Sequence, residues 1–203
     1  KKKMSNKKIV LIDPATAGLN GLYLEAYFDS HPDNIIPISN YHDPFNRKYK
    51  HFFKYSELAA QEKFNLGLLR LPVRFFEMFL GLLRSLFTII NIKPAAIVYC
   101  LSSNVFLELF LIVILRAIRY KVYIVCHDVI PFLKKNEFLK IKSFKRKIFY
   151  LLANKLIVHN KESINELKNY FNISEEKILY LPFPNWDLNK FKNFSKRDKN
   201  FSA

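Results

Sequence analysis

Short β-branched runs alternate with longer stretches of helical periodicity along most of the chain. That rhythm is the signature of βαβ units, and so of a parallel sheet covered by helices on both faces. The first run, Ile9-Val10-Leu11-Ile12, leads through a loop holding Gly18 and Gly21 to a helical pattern from Leu22 to Ser30 and a second run from Asn34 to Ile38. These pieces make one complete unit. A polar, aromatic stretch from Tyr41 to Tyr55 reads as a mobile loop, and Ser56 as the N-cap of a short helix after it. Further strands are expected at Ala96 to Cys100, Lys121 to Cys126, Leu156 to Val158 and Ile178 to Leu181. The helical patterns between them run from Gly67 to Ile90, from Val105 to Ile118, up to about Asn154, and from Glu162 to Phe171.

The predicted fold class is therefore α/β, a Rossmann-like, doubly wound, mostly parallel sheet of about six strands or more. At 203 residues the chain suits one such domain. Residues 1–8 read as a basic N-terminal tail, native or tag-derived, with Met4 a candidate start. Residues 9–187 form the domain, and residues 188–203 a polar linker or tail rich in Lys and Asn.

Two of the helical patterns are unusual. Between Gly67 and Ile90 the residues Arg70, Arg74, Glu77, Gly81 and Arg84 fall at spacings of four, three, four and three, so they form one narrow polar stripe on an otherwise apolar helix. The pattern from Val105 to Ile118 is almost wholly apolar behind an N-cap cluster, Ser102-Ser103-Asn104. It falls short of the roughly 20 apolar residues that cross a bilayer, and Glu108 interrupts it. A helix buried against the sheet is expected there.

Half of the residues are hydrophobic and 16% aromatic, which excludes a disordered chain. The formal charge of +16 calls for a polyanionic partner: nucleic acid, anionic lipid or a phosphorylated small molecule. Nucleic acid fits poorly, because the lysines gather at the termini and between Lys134 and Lys147 instead of interleaving with aromatics on one face. An apolar helix with an Arg stripe, together with that basic run, suits an anionic bilayer at about 1 kcal/mol per basic residue near the surface. The other reading is a helix sandwiched inside the domain with the lysines as a solvated face, and the sequence leaves both open. The two cysteines, Cys100 and Cys126, make neither a disulfide framework nor a zinc site, so a cytoplasmic protein is expected. The run from Ile9 to Ile12 is too short for a signal-peptide core.

In open parallel sheets, ligands bind beyond the carboxyl ends of the strands. The residues there are polar: Asp13, Ser102, Ser103, His127, Asp128, His159 and Asn160. Such residues also serve as loop surface and helix caps. Gly18-Leu19-Asn20-Gly21 holds half of the four glycines, at a place where helix-start amides can meet a phosphate, although it also reads as an ordinary loop. It is not GxGxxG, and no P-loop occurs, which weakens dinucleotide and NTPase readings. His127-Asp128 sets an imidazole beside a carboxylate at the end of a buried strand, an arrangement suited to proton transfer or to structural hydrogen bonding.

The order of these features resembles a known family. The glycine loop, the strand ending in His127-Asp128, the run from Ala153 through His159-Asn160 to Ser163, and the run from Lys177 to Pro184 are similar to the N-terminal domain of family-4-type GT-B glycosyltransferases (glycosyl transferases group 1). The resemblance covers roughly residues 8–187. It implies the acceptor-side half of a two-domain cleft, using a nucleotide-sugar donor, a membrane-linked acceptor, and neither metal nor other cofactor. Gly18 to Gly21 would approach the donor diphosphate and the acceptor, His127 would sit near the transferred sugar, and His159, Asn160 and Asn185 would line the cleft. No second series of strands follows Asp187, so the donor-binding domain is expected in cis beyond a truncation or in trans on a second chain. A rival expectation is a non-catalytic, membrane-anchoring subunit of a split enzyme.

Overall fold

The computed structural model describes residues 8–14, 34–40, 50–53, 70–101, 105–126, 129 and 138–182. Among these residues seven strands form one sheet: β1 (Ile9–Asp13), β2 (Ile35–Asn40), β3 (Lys50–Phe53), β4 (Ala96–Cys100), β5 (Val122–Cys126), β6 (Lys155–Val158) and β7 (Ile178–Tyr180). Their spatial order is β3-β2-β1-β4-β5-β6-β7, and every neighbouring pair is parallel. From β1 the chain moves outward to β2 and β3, then returns to place β4 on the other side of β1. That reversal defines a Rossmann-like α/β sheet and puts its switch point between β1 and β4.

β3 corrects the sequence reading, which made Tyr41 to Tyr55 a loop. Lys50-His51-Phe52-Phe53 has no β-branched run to announce a strand; it forms one by pairing with β2 across a register shift at Ser39 and Asn40. The expected helices from Leu22 to Ser30 and after Ser56 lie outside the described residues.

Four helices are described: α1 (Arg70–Ile92), α2 (Val105–Ala117), α3 (Phe138–Leu152) and α4 (Lys161–Phe171). Pro72 stands in the first turn of α1, where no intrahelical N–H bond is lost. Residues Met78, Leu82, Ser85 and Ile89, at spacings of four, three and four, form the buried face of α1. Ser85 Oγ is satisfied by the Gly81 carbonyl at 2.8 Å. Leu107, Leu111, Ile112 and Leu115 do the same for α2, Phe149 and Tyr150 for α3, and Leu167 and Phe171 for α4. All join one cluster with Val10, Ile12, Ile38, Ile97, Tyr99 and their neighbours, so the four helices share one face of the sheet. The alternate strand residues Leu11, Cys100, Val125 and Ile157 form a second buried cluster on the other face.

As expected, α2 lies against the sheet, and of the two readings left open for α1 one is excluded. The helix α2 is buried only on its sheet side, since Phe106, Phe110 and Val113 are exposed. Nor is α1 sandwiched: Phe76 is 59% and Phe87 64% exposed on the side away from the sheet.

The edge where the strands begin is braced by polar side chains. Asn154 Oδ1 accepts from the Val122 amide at 2.8 Å and from Arg116 at 2.6 Å, while the Asn154 amide donates to the Val122 carbonyl at 2.8 Å. Tyr120 Oη donates to the Ile89 carbonyl at 3.4 Å, and Lys177 Nζ donates to the Leu151 carbonyl at the end of α3 at 2.6 Å. Among the described residues, three connectors turn on residues in the left-handed region, Lys93 (φ 52°), Arg119 (φ 66°) and Asn172 (φ 54°). At Asn172 the turn is a Schellman cap, in which Ile173 N–H reaches the Leu167 carbonyl at 3.1 Å and the Ile173 side chain is buried.

Candidate functional site at the strand ends

Asp13 is the last residue of β1, at the switch point, and is only 1% exposed. The register sets it against Ser39 of β2, which is fully buried. Across the switch point, β4 ends on the buried Cys100, whose thiol is held well above its usual range by burial and then by the charges of Asp13, Cys126 and Glu108. Such a thiol stays protonated and is no nucleophile. Glu108, in the first turn of α2 and 1% exposed, places a second carboxyl group near Cys100, where the helix dipole favours negative charge. The sequence treats Glu108 only as a break in an apolar helix. Its solitary place among apolar residues is the signal that marks it as an inward-facing group.

At the end of β5 a polar chain links strand, helix and the segment that follows. Burial pushes the Cys126 thiol up to about 12, against the opposing effect of a hydrogen bond from Tyr150 and the charge of Arg146. The Tyr150 hydroxyl is itself pushed well up by burial and by Cys126, with Arg146 pulling the other way. Arg146 in turn donates to the carbonyl of the buried Val129 at 3.2 Å. This alters the reading of the basic run: Arg146 is half-buried and turned onto the residue that follows His127-Asp128 in the chain.

At the end of β6, His159 is 6% exposed and its Nδ1 lies 2.7 Å from the Leu181 carbonyl. A carbonyl only accepts, so Nδ1 carries the proton and, in the neutral ring, Nε2 is the acceptor nitrogen. Burial lowers the His159 pKa from its ordinary value, with the Leu181 hydrogen bond opposing. Leu181 N–H donates back to the Val158 carbonyl at 2.9 Å, so the ends of β6 and β7 are fastened together. The next residue, Asn160, is exposed and caps α4: its Oδ1 accepts from the Ser163 amide at 2.6 Å.

Of the residues expected at this edge, Asp13, His159 and Asn160 are therefore placed at strand ends. Gly18, Leu19, Asn20, Gly21, Ser102, Ser103, His127, Asp128 and Asn185 lie outside the described residues. Among the described residues no three His, Cys, Asp or Glu side chains come together as metal ligands.

No protein-family model matches the sequence. No curated protein matches it either. A solved structure, that of UDP-GlcNAc 2-epimerase from Methanocaldococcus jannaschii, is similar to the chain at 15% identity and a TM-score of 0.48, covering 85% of this chain and 44% of that one. The chain thus spans less than half the length of that protein. The strand order and register define the fold by themselves.

Proposed function

We propose that the chain is the N-terminal, acceptor-side half of a GT-B glycosyltransferase, which moves a sugar from a nucleotide-sugar to a membrane-associated acceptor in surface polysaccharide or glycolipid assembly. The observation that carries this reading is the reversal of strand order between β1 and β4, with the buried Asp13 at the strand end where a parallel sheet receives its ligand. The segments resembling family-4-type enzymes support it, because His127-Asp128 directly follows β5 and His159-Asn160 directly follows β6 in the chain. In this reading His127 handles the proton of the acceptor hydroxyl, and Asp128 orients it. Gly18 to Gly21 approach the donor diphosphate and the acceptor. Ser102, Ser103, His159, Asn160 and Asn185 line the cleft with Asp13. The donor wall is supplied by a segment beyond these 203 residues, in the same chain or another. The protein works at the inner face of the membrane, without a metal.

The exposed apolar side of α1 and α2 also suits a subunit that only anchors a donor-binding partner to the membrane. One assay separates the two readings. The chain, combined with its donor-binding half, is incubated with a panel of labelled nucleotide-sugars and a membrane extract, alongside the donor half alone. Label entering the lipid or polymer fraction only when both halves are present supports catalysis across a shared cleft. Transfer by the donor half alone to a soluble acceptor, unaffected by this chain, leaves the anchoring role.

A further inference from the structure

We infer that the outer surface of the α1, α2 and α3 layer is a docking face for an anionic bilayer, with α1 lying along the surface and not across it. On α1, opposite the buried stripe from Met78 to Ile89, the residues Phe76, Leu80, Leu83, Phe87 and Ile90 recur at spacings of four, three, four and three. Phe76, Phe87 and Ile90 are 59%, 64% and 43% exposed. An ordinary surface helix turns polar residues to that side. On α2 the outward stripe is Phe106, Phe110 and Val113, at 71%, 57% and 46% exposure. On α3, one turn pair apart, Phe144 and Leu151 are exposed as well. α2 packs against both α1 and α3, so the three stripes are neighbours, and the groove between α1 and α2 is lined only by apolar side chains such as Phe79, Leu83 and Phe110. Exposed apolar residues this numerous and contiguous mark an interaction surface.

Charge selects the occupant. Arg84, Lys93, Arg119 and Lys121 are exposed on α1 and at the ends of α1 and α2, whereas the carboxyl groups of those helices are withdrawn, Glu77 half-buried and Glu108 buried. An apolar face edged by cations with no exposed carboxylate on either helix matches anionic headgroups above acyl chains. A second copy docking through the same face would set like charges against each other. Among the described residues α1 is the one helix long and apolar enough to cross a membrane. Crossing would strip its inner stripe from Val10, Ile12 and Ile38, so it lies in the plane of the surface.

The location narrows the one read from the sequence, an apolar helix with an Arg stripe together with the basic run, to the outward apolar side of that same helix and its neighbours. Gly81 of that stripe is buried, and Arg146 of that run reaches inward to Val129. It also bears on the acceptor. Both helices run opposite to the strands, so they start at the edge where the strands finish, and there Leu71, Phe75 and Phe106 are 76%, 51% and 71% exposed. The apolar face thus reaches the edge carrying Asp13 and His159, where an acceptor anchored by a lipid tail would present its polar head.

The test is flotation of the 203-residue chain with phosphatidylcholine vesicles, with and without phosphatidylglycerol, at low and high salt. No nucleotide-sugar is needed, so failure of sugar transfer leaves this inference standing, and the reverse. The wild-type chain is expected to float with phosphatidylglycerol vesicles and to release at high salt. Phe87→Asp/Phe110→Asp, at two exposed positions outside the core, should float about tenfold less or worse while keeping its circular dichroism. If that pair misfolds, Lys93→Gln/Arg119→Gln decides, by losing only the phosphatidylglycerol-dependent part. Equal flotation of wild type and every folded variant, or no flotation of the wild type, overturns the proposal. So does a soluble dimer that the same variants dissociate, which would make this face a contact between copies.

Discussion

Where the strands begin, Asn154, Arg116, Tyr120 and Lys177 direct their polar atoms onto backbone groups or one another, and the connectors between helix and strand are tied off. At the opposite edge, Asp13, Glu108 and His159 are drawn into the interior beside the strand ends, and Arg146, next to Tyr150 and Cys126, reaches Val129 after β5. Both edges tie polar side chains to backbone, as His159 does to Leu181 and Arg146 to Val129 at the second, but the second also buries two carboxyl groups, Asp13 and Glu108, beside the strand ends. Polarity at a sheet edge is therefore no guide to function until its partners are known. The bracing edge should respond to mutation through stability alone, and the other through sugar transfer as well.

The largest stability effect is expected at Asn154. Its Oδ1 accepts from both the Val122 amide and Arg116, so Asn154→Ala leaves two donors without that acceptor and should cost about 1–3 kcal/mol. Urea unfolding measures this, and membrane flotation of the folded fraction should be unchanged. A loss of flotation without a loss of stability would break the division between the edges.

A smaller effect is expected at His159, seen as a pH dependence. Its folded pKa is lowered by burial, so the unfolded chain takes up the proton first as pH falls. The stability contributed by the neutral ring is fully present above the ordinary histidine pKa of about 6.5 and is lost progressively below it. His159→Asn keeps a donor near the Leu181 carbonyl and does not titrate. Thermal unfolding between neutral and mildly acidic pH should fall more steeply for wild type than for this variant. Parallel curves would show that His159 does not enter the linkage.

Much of the fold was legible because parallel strands buried on both faces read as plain apolar runs, as Ile9 to Ile12 and Lys121 to Cys126 do. β3 was not legible, since Lys50-His51-Phe52-Phe53 becomes a strand only by lying against β2. Helix boundaries were close where caps are strong: the end of α4 at Phe171 is fixed by Asn172 in the left-handed region. The direction in which helix side chains face was less legible. Periodicity drew attention to the polar stripe of α1, yet the informative stripe is the apolar one from Phe76 to Ile90, which a wholly buried helix would share. At the site, Asp13 and His159 could be found from their positions after apolar runs. Glu108 is marked as inward-facing by its solitary place among apolar residues, but its position beside Cys100, like those of Tyr150 and Arg146 at the end of β5, arises only through packing.

The most direct test of the glycosyltransferase reading is the rate of sugar transfer by the assembled enzyme carrying His127→Ala, measured beside the wild type under the same membrane conditions. A fall of about a hundredfold or more is expected, the usual contribution of a positioned acid or base, with unfolding and flotation unchanged. A variant that transfers sugar at the wild-type rate would contradict it.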